Sequence, residues 1–180
     1  PKLLCIVGNF DPREIISAGE SCGLAGGSWQ SKTRPSLAAA RRRHWNKPSS
    51  QFHLLTFYPL DRDLTSREIL TLSILAHAFG EANHSRLFQR VREEKGLCYQ
   101  VFAGFHTVGS SGYFFTYGST APKKAEKLEV SLSREWEKFH ADFSQEEWEA
   151  SLDSVVAQSR LQNDRMEARV DRIAGSWLLE

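Results

Sequence analysis

Ser85-Arg86-Leu87-Phe88-Gln89-Arg90-Val91-Arg92-Glu93-Glu94-Lys95-Gly96-Leu97-Cys98-Tyr99-Gln100 is the stretch on which the reading of the chain turns. Up to Lys95 it reads as a helix, because Leu87, Phe88 and Val91 recur at the spacing of three and four that gathers apolar groups on one face, with charges on the other. Gly96, after a basic last turn, is a helix stop, and the alternating residues beyond it read as a strand. Tyr99 therefore falls where helix becomes sheet, and Arg92 lies about one turn before that point. A cation and a phenol are brought to the same end of one helix-to-strand corner, where a bound peptide can meet both.

Downstream, Gln100 to Val108, the turn Gly109-Ser110-Ser111-Gly112 and Tyr113 to Gly118 read as a hairpin. Alternation puts Tyr99, Val101, Ala103 and Phe105 on one face of the first strand and Tyr113, Phe115 and Tyr117 on one face of the second, so the hairpin is expected to bury a broad aromatic surface. Pro122 opens a helix with Ala125, Leu128, Leu132, Trp136 and Phe139 on one stripe. Ser144-Gln145-Glu146-Glu147 is a capping box before a helix carrying Trp148, Leu152, Val155 and Val156, and a last helix runs from about Arg165 to Glu180.

Upstream, Thr65-Ser66-Arg67-Glu68 is another capping box, opening an apolar helix through Ile69, Leu72, Leu75, Ala76 and Phe79 that Gly80 is expected to end. Gln51 to Tyr58 reads as a strand with both faces largely apolar, and so as a central one. Arg41-Arg42-Arg43-His44 is the one basic cluster. It reads as a solvated edge strand more readily than as a nucleic-acid or acidic-partner patch, since no aromatic stacking platform accompanies it. Residues 24–40 read as a Gly, Ser and Pro-rich linker, and Lys2 to Val7 as a strand followed by a helix capped by Asp11-Pro12. The expected division is residues 1–23 as the end of a preceding domain, 24–40 as linker and 41–180 as a second domain. The whole is an α+β fold, a largely antiparallel sheet with helices packed on it.

Composition excludes several function classes. The chain has 180 residues, 41% hydrophobic and 25% charged, and 23 basic against 22 acidic side chains give a formal charge of +1. That balance does not point to nucleic acid, and no apolar run is long enough to span a membrane. Three cysteines, Cys5, Cys22 and Cys98, without C-x-x-C spacing argue against a disulfide framework or a structural zinc site. The odd count favours a reducing, cytoplasm-like compartment, with the compartment otherwise open. The opening Pro followed at once by a strand-like run reads as a fragment of a longer protein.

The stretch from Ser85 to Tyr99 resembles the signature of the second, non-metal domain in the pitrilysin/insulinase family of zinc metallopeptidases, which includes the mitochondrial processing peptidases. Val7-Gly8-Asn9-Phe10-Asp11-Pro12 resembles the strand-to-helix junction that ends the family's first domain. The resemblance implies a bilobal peptidase whose two halves enclose a peptide, with the zinc in the first half on an H-x-x-E-H helix. None of the six histidines here lies in that pattern. His77 and His84 with Glu81 between them come nearest, but Gly80 and the helix end are expected to separate their directions. No cofactor is therefore expected in this chain, and zinc is expected in the parent protein or a partner subunit.

In active members an Arg and a Tyr seven residues later reach the substrate carbonyl as water attacks it, and Arg92 and Tyr99 match that spacing. As the carbonyl carbon becomes tetrahedral its oxygen gains negative charge, which a phenol donor and a guanidinium stabilise more than they stabilise the ground state. The competing readings are an exposed helix charge paired with Glu93 or Glu94 for Arg92, and a half-buried strand aromatic for Tyr99. Arg86 and Arg90 are weaker candidates, because the spacing singles out Arg92. The resemblance thus implies the non-metal half of a zinc metalloendopeptidase, inactive alone, with a peptide substrate and a zinc-bearing domain or subunit as partners. The alternative is an inactive scaffold of the same family that binds peptides or partners. An unpaired strand at Lys2 to Val7 would also recruit an edge on a second copy, making a homodimer by strand exchange a further expectation. The isolated chain is expected to hold no stoichiometric zinc and to cleave no unstructured peptide. Elemental analysis finding about one tightly held zinc per chain would overturn this.

Overall fold

The computed structural model describes residues 4–23 and 41–179. The chain divides into two compact units, one of residues 34–156 and one of residues 1–33 with 157–180. In the latter, helix α1 (Pro12–Ser21) starts as its sequence dictates: Asp11 accepts from the Arg13 N–H (2.9 Å) and Pro12 occupies the first turn, where its missing N–H costs nothing. Leu4 to Val7, expected as strand, joins no ladder, and Lys2 and Leu3 lie outside the described residues, as does the expected linker. Four extended residues with no partner edge have no backbone bonds to make, so apolar composition alone does not produce a strand.

The larger unit is built on a three-stranded antiparallel sheet, β1 (Phe52–Leu60), β2 (Gln100–Val108) and β3 (Ser111–Thr120), in the order β1-β3-β2. The hairpin forms as expected and turns at Gly109, whose φ of +59° only glycine adopts cheaply. Two faces were misassigned by sequence. Among the described residues β1 lies at an edge of the order and not centrally, and one of its faces is open rather than covered, with Leu55 and Phe57 50% and 54% exposed. The register pairs Val101 with Gly118 and Ala103 with Thr116, so odd positions of β2 share a face with even positions of β3. Val101, Ala103, Phe114 and Thr116 are consequently buried, whereas Tyr113, Phe115 and Tyr117 line the opposite, half-exposed face. Arg41 to His44, expected as an edge strand, form none. Three successive arginines give a sheet no apolar side to bury, and Arg42 instead pairs with Glu129 (2.9 Å).

Helix α2 (Ser66–Ala76) begins at the predicted capping box, with the Thr65 N–H donating to Glu68 (2.8 Å) and the Glu68 N–H to Thr65 Oγ1 (3.3 Å). The backbone bond from Thr65, its hydroxyl and Arg62 lower the Glu68 carboxyl to about 2. Gly80 does not end this helix. It lies inside a π-helical turn, His77–Glu81, pressed so closely on β2 that a Cβ there would stand 2.3 Å from the Ala103 nitrogen. Helix α3 (Ala125–Asp142) follows a 3₁₀ turn at Pro122–Lys124, and helices α4 (Gln145–Asn163) and α5 (Met166–Leu179) complete the chain. The core of the larger unit lies between the sheet, the helical segments at 77–93 and α3, around Phe79, Leu87, Val91, Leu128, Leu132 and Phe139. Trp136 fills the gap by stacking on Tyr58 (4.1 Å between ring centres) with its edge toward Phe79 (5.4 Å).

Two charge clusters tie helix 85–95 into this core. Arg86, buried, forks onto both carboxylate oxygens of Glu147, pairs with Asp142, and lies 5.0 Å from the Phe139 ring centre. Burial alone would depress its pKa, but the bonds from Glu147 and Asp142 more than offset that and raise it. Glu135, 1% exposed, receives Lys95 (2.8 Å) and faces Arg90 (3.4 Å). Burial pushes its carboxyl up, and the Lys95 bond with the charges of Lys95, Arg90 and Lys138 brings it below the ordinary value.

Arg86→Ala removes a buried forked contact, while the partly exposed Glu147 and Asp142 can turn to water, so it is expected to cost about 1.5 to 3 kcal/mol of stability by denaturant titration, with Arg86→Lys a poor substitute for the forked contact. A loss no larger than that of an exposed arginine would contradict the assignment. Glu68, Glu135, Asp142 and Glu147 all ionise below their ordinary values in the fold. The unfolded chain therefore binds protons first as the pH falls, and stability present above the ordinary carboxylate range is lost below about pH 4. Glu135→Gln is expected to lower stability by about 1 to 3 kcal/mol at pH 7 and to flatten that acid slope. Melting curves from pH 3 to 8 check both, and a midpoint that rises on acidification would refute the linkage.

Candidate functional site

The corner between helix and strand is held by backbone bonds from three directions. The helix opening at Arg86 widens into a π-helical segment, Phe88–Glu93, with the Glu94 N–H donating to the Gln89 carbonyl five residues back (2.9 Å). π turns of this kind recur at functional sites. Gly96 closes it at φ +57°, where the Gly96 N–H donates to the Arg92 carbonyl (3.0 Å) and the Leu97 N–H to that of Val91 (3.1 Å). The carbonyls that point the other way are also taken. Lys124 Nζ donates to the Gly96 carbonyl (2.8 Å) and Thr120 Oγ1 to that of Leu97 (2.6 Å). The Tyr99 N–H donates to the Ser119 carbonyl of β3 (2.8 Å), so Tyr99 is fixed to the sheet one residue before β2 begins.

On this frame the two predicted residues point outward. The Arg92 side chain is 42% exposed, its guanidinium carbon 4.7 Å from the Phe88 ring centre and its Nε 3.7 Å from a Glu93 carboxylate oxygen. Tyr99 is 56% exposed, and its hydroxyl bonds to none of the described residues. The two side chains make no hydrogen bond to each other. Between them Cys98 is half buried. Burial pushes its thiol pKa up, while the positive charges of Arg92 and Lys124 pull the other way, so the corner carries a cationic field beside Tyr99. Arg86 and Arg90, the weaker candidates, face Asp142 with Glu147 and Glu135 respectively. The partial pairing of Arg92 with Glu93 is the one feature that the competing reading of an ordinary helix charge anticipates.

Sequence reasoning missed Lys124, which the fold brings to the corner from 28 residues away. A basic residue after Pro122 carries no local sign of that role. It also separated His77 from His84, whose rings lie edge to face at 5.9 Å. The π turn carries the chain past Gly80 and returns it, rather than ending at the glycine. His77 is buried, with Nε2 2.9 Å from Ser154 Oγ and Nδ1 3.5 Å from Glu81. Among the described residues no three His, Cys, Asp or Glu side chains gather as a metal ion requires. No helix among them is long and apolar enough to cross a membrane.

Comparison with known proteins agrees with this architecture. An uncharacterized zinc protease of Rickettsia bellii is 27% identical over 176 residues, covering 97% of this chain and 42% of that protein. A crystal structure described as the peptidase M16 inactive domain from Pseudomonas fluorescens superposes with a TM-score of 0.56 at 24% identity, covering 63% of this chain and 28% of that one. A protease from Helicobacter pylori superposes with a TM-score of 0.75 at 14% identity over 96% of this chain and 44% of that one, a likeness of fold. The chain spans less than half the length of the curated relatives it matches. The family model described as the peptidase M16 inactive domain matches residues 3–155, most of the α+β architecture and all of the corner, and the chain belongs to that family.

Proposed function

We propose that this chain supplies the non-metal half of a zinc metallopeptidase, closing the cavity that holds a peptide and contributing Arg92 and Tyr99 to the transition state. The observation that carries the reading is the Tyr99 phenol, held by its backbone to β3 yet exposed and unengaged by the described fold. A tyrosine serving the core would bury its ring, and one serving stability would give its hydroxyl a partner. A zinc-bearing half, in the same polypeptide or a partner subunit, would supply the chemistry that activates a water toward the scissile carbonyl. The residues of this chain then act on the oxygen that becomes negative: Tyr99 donates its O–H, and Arg92 adds the positive charge of its guanidinium. Lys124 adds positive field but is tied to the Gly96 carbonyl.

A second reading, an inactive scaffold that binds peptides or partners, is favoured by one observation: Arg92 already has Phe88 and Glu93 as neighbours and so has a structural use. Variants separate the two. Tyr99→Phe keeps the ring and removes the donor, and it is expected to leave the melting temperature unchanged while slowing the chemical step about a hundredfold. Arg92→Ala is expected to act similarly, and the double variant to lose less than the sum of the two, since groups serving one transition state are not additive. The measurement is turnover of a quenched peptide with the zinc-bearing half present. Full activity in Tyr99→Phe would leave the likeness as one of fold alone.

A further inference from the structure

Arg92 is presented to solvent at the end of a long side chain, and such a side chain loses rotamer freedom whenever it is brought to a ligand. Among the described residues, the firm contact of its guanidinium is the face of Phe88, 4.7 Å from ring centre to guanidinium carbon and well within the range of about 6 Å at which a cation and an aromatic face attract. Glu93 is a looser neighbour at 3.7 Å, too far for a hydrogen bond. Phe88 is itself half buried, so its ring loses less freedom than the exposed Arg92 side chain when the two meet. Both residues lie on the π-helical segment Phe88–Glu93, whose wide turn sets Arg92 above Phe88 four residues on.

From this contact we infer that Phe88 is a positioning residue, its ring holding the Arg92 guanidinium in the orientation that meets the substrate oxyanion. Phe88 touches no substrate in this role and acts through Arg92 alone, so the inference rests on the assignment of Arg92 to the transition state. It also accounts for an aromatic ring at a half-buried position outside the core cluster. Leucine or methionine would fill similar volume but present no negative face to a cation.

The test is steady-state kinetics of the complete protein, zinc-bearing half included, on a quenched peptide. Phe88→Leu is expected to lower kcat about two- to fivefold, the rate equivalent of one cation–π contact at an exposed site, with KM little changed. Phe88→Trp is expected to restore kcat, because indole is the stronger cation acceptor. In the Arg92→Ala background Phe88→Leu is expected to have no further effect on kcat. Phe88→Met, with its flexible apolar side chain, takes the place of Phe88→Leu if the latter does not fold. An unchanged kcat in the Phe88 variants, or an equal loss with and without Arg92, would overturn the positioning role while leaving Arg92 in place. Full activity in Arg92→Ala would remove both the role of Arg92 and the inference built on it.

Discussion

The left-handed turn at Gly96 is the constraint on which the corner depends, because it takes a helix whose last carbonyls would face solvent and sends the chain directly into a sheet. With φ at +57°, any residue carrying a Cβ would be strained there, and the two N–H bonds that close the helix, from Gly96 and Leu97, would be lost with the turn. The consequences run in both directions along the chain. Leu97 and Cys98 become partly buried against the core, Tyr99 bonds to β3, and β2 starts in the register that puts Val101 and Ala103 inward. One glycine therefore fixes both where Arg92 ends its helix and where Tyr99 meets the sheet.

Helix 85–95 distributes its arginines by phase. Arg86 and Arg90, four apart, lie on one side and meet the acids of α3 and α4, whereas Arg92, two residues further, cannot share that side. The inward pair is costly to bury and is compensated fully, with Arg86 facing Asp142 and Glu147, and Glu135 facing Lys95 and Arg90. Such clusters add less net stability than apolar side chains of the same volume would, but they admit few alternative arrangements. The helix cannot rotate without stranding a buried carboxylate, which keeps Arg92 on the outer side.

Much of this was legible in the sequence. Both capping boxes, the hairpin, the stop at Gly96 and the spacing of Arg92 and Tyr99 are local, and local chemistry determines each. What the sequence concealed is long-range. Which face of β3 is buried depends on its register with β2, and a one-residue change of register reverses it, so the aromatics at Tyr113, Phe115 and Tyr117 could not be placed from alternation alone. The apolar run of β1 gave no sign that it would stand at an edge with Leu55 and Phe57 outward. Gly80 looked like a helix stop because the close approach of Ala103, the reason only glycine fits, belongs to another element. Nothing local in the sequence marks Glu135 for burial, which follows only once Lys95 and Arg90 are known to face it.

A domain without a metal can assist a reaction only through groups already in place when charge develops, since any reorganisation at that moment subtracts from the stabilisation. The corner meets that requirement unevenly. Along residues 96–99 the amides of Gly96, Leu97 and Tyr99 donate to Arg92, Val91 and Ser119, and the carbonyls of Gly96 and Leu97 accept from Lys124 and Thr120, so the base of Tyr99 is tied on several sides. Arg92 has a rigid backbone as well, but its reach comes from a flexible stem steadied by one aromatic face. On the proposed assignment the phenol would be aimed by the fold, and the guanidinium by a contact of its own side chain. A site built this way tolerates substitutions over most of the surrounding helix and is sensitive to those that alter the turn at Gly96 or the surface on which Arg92 rests.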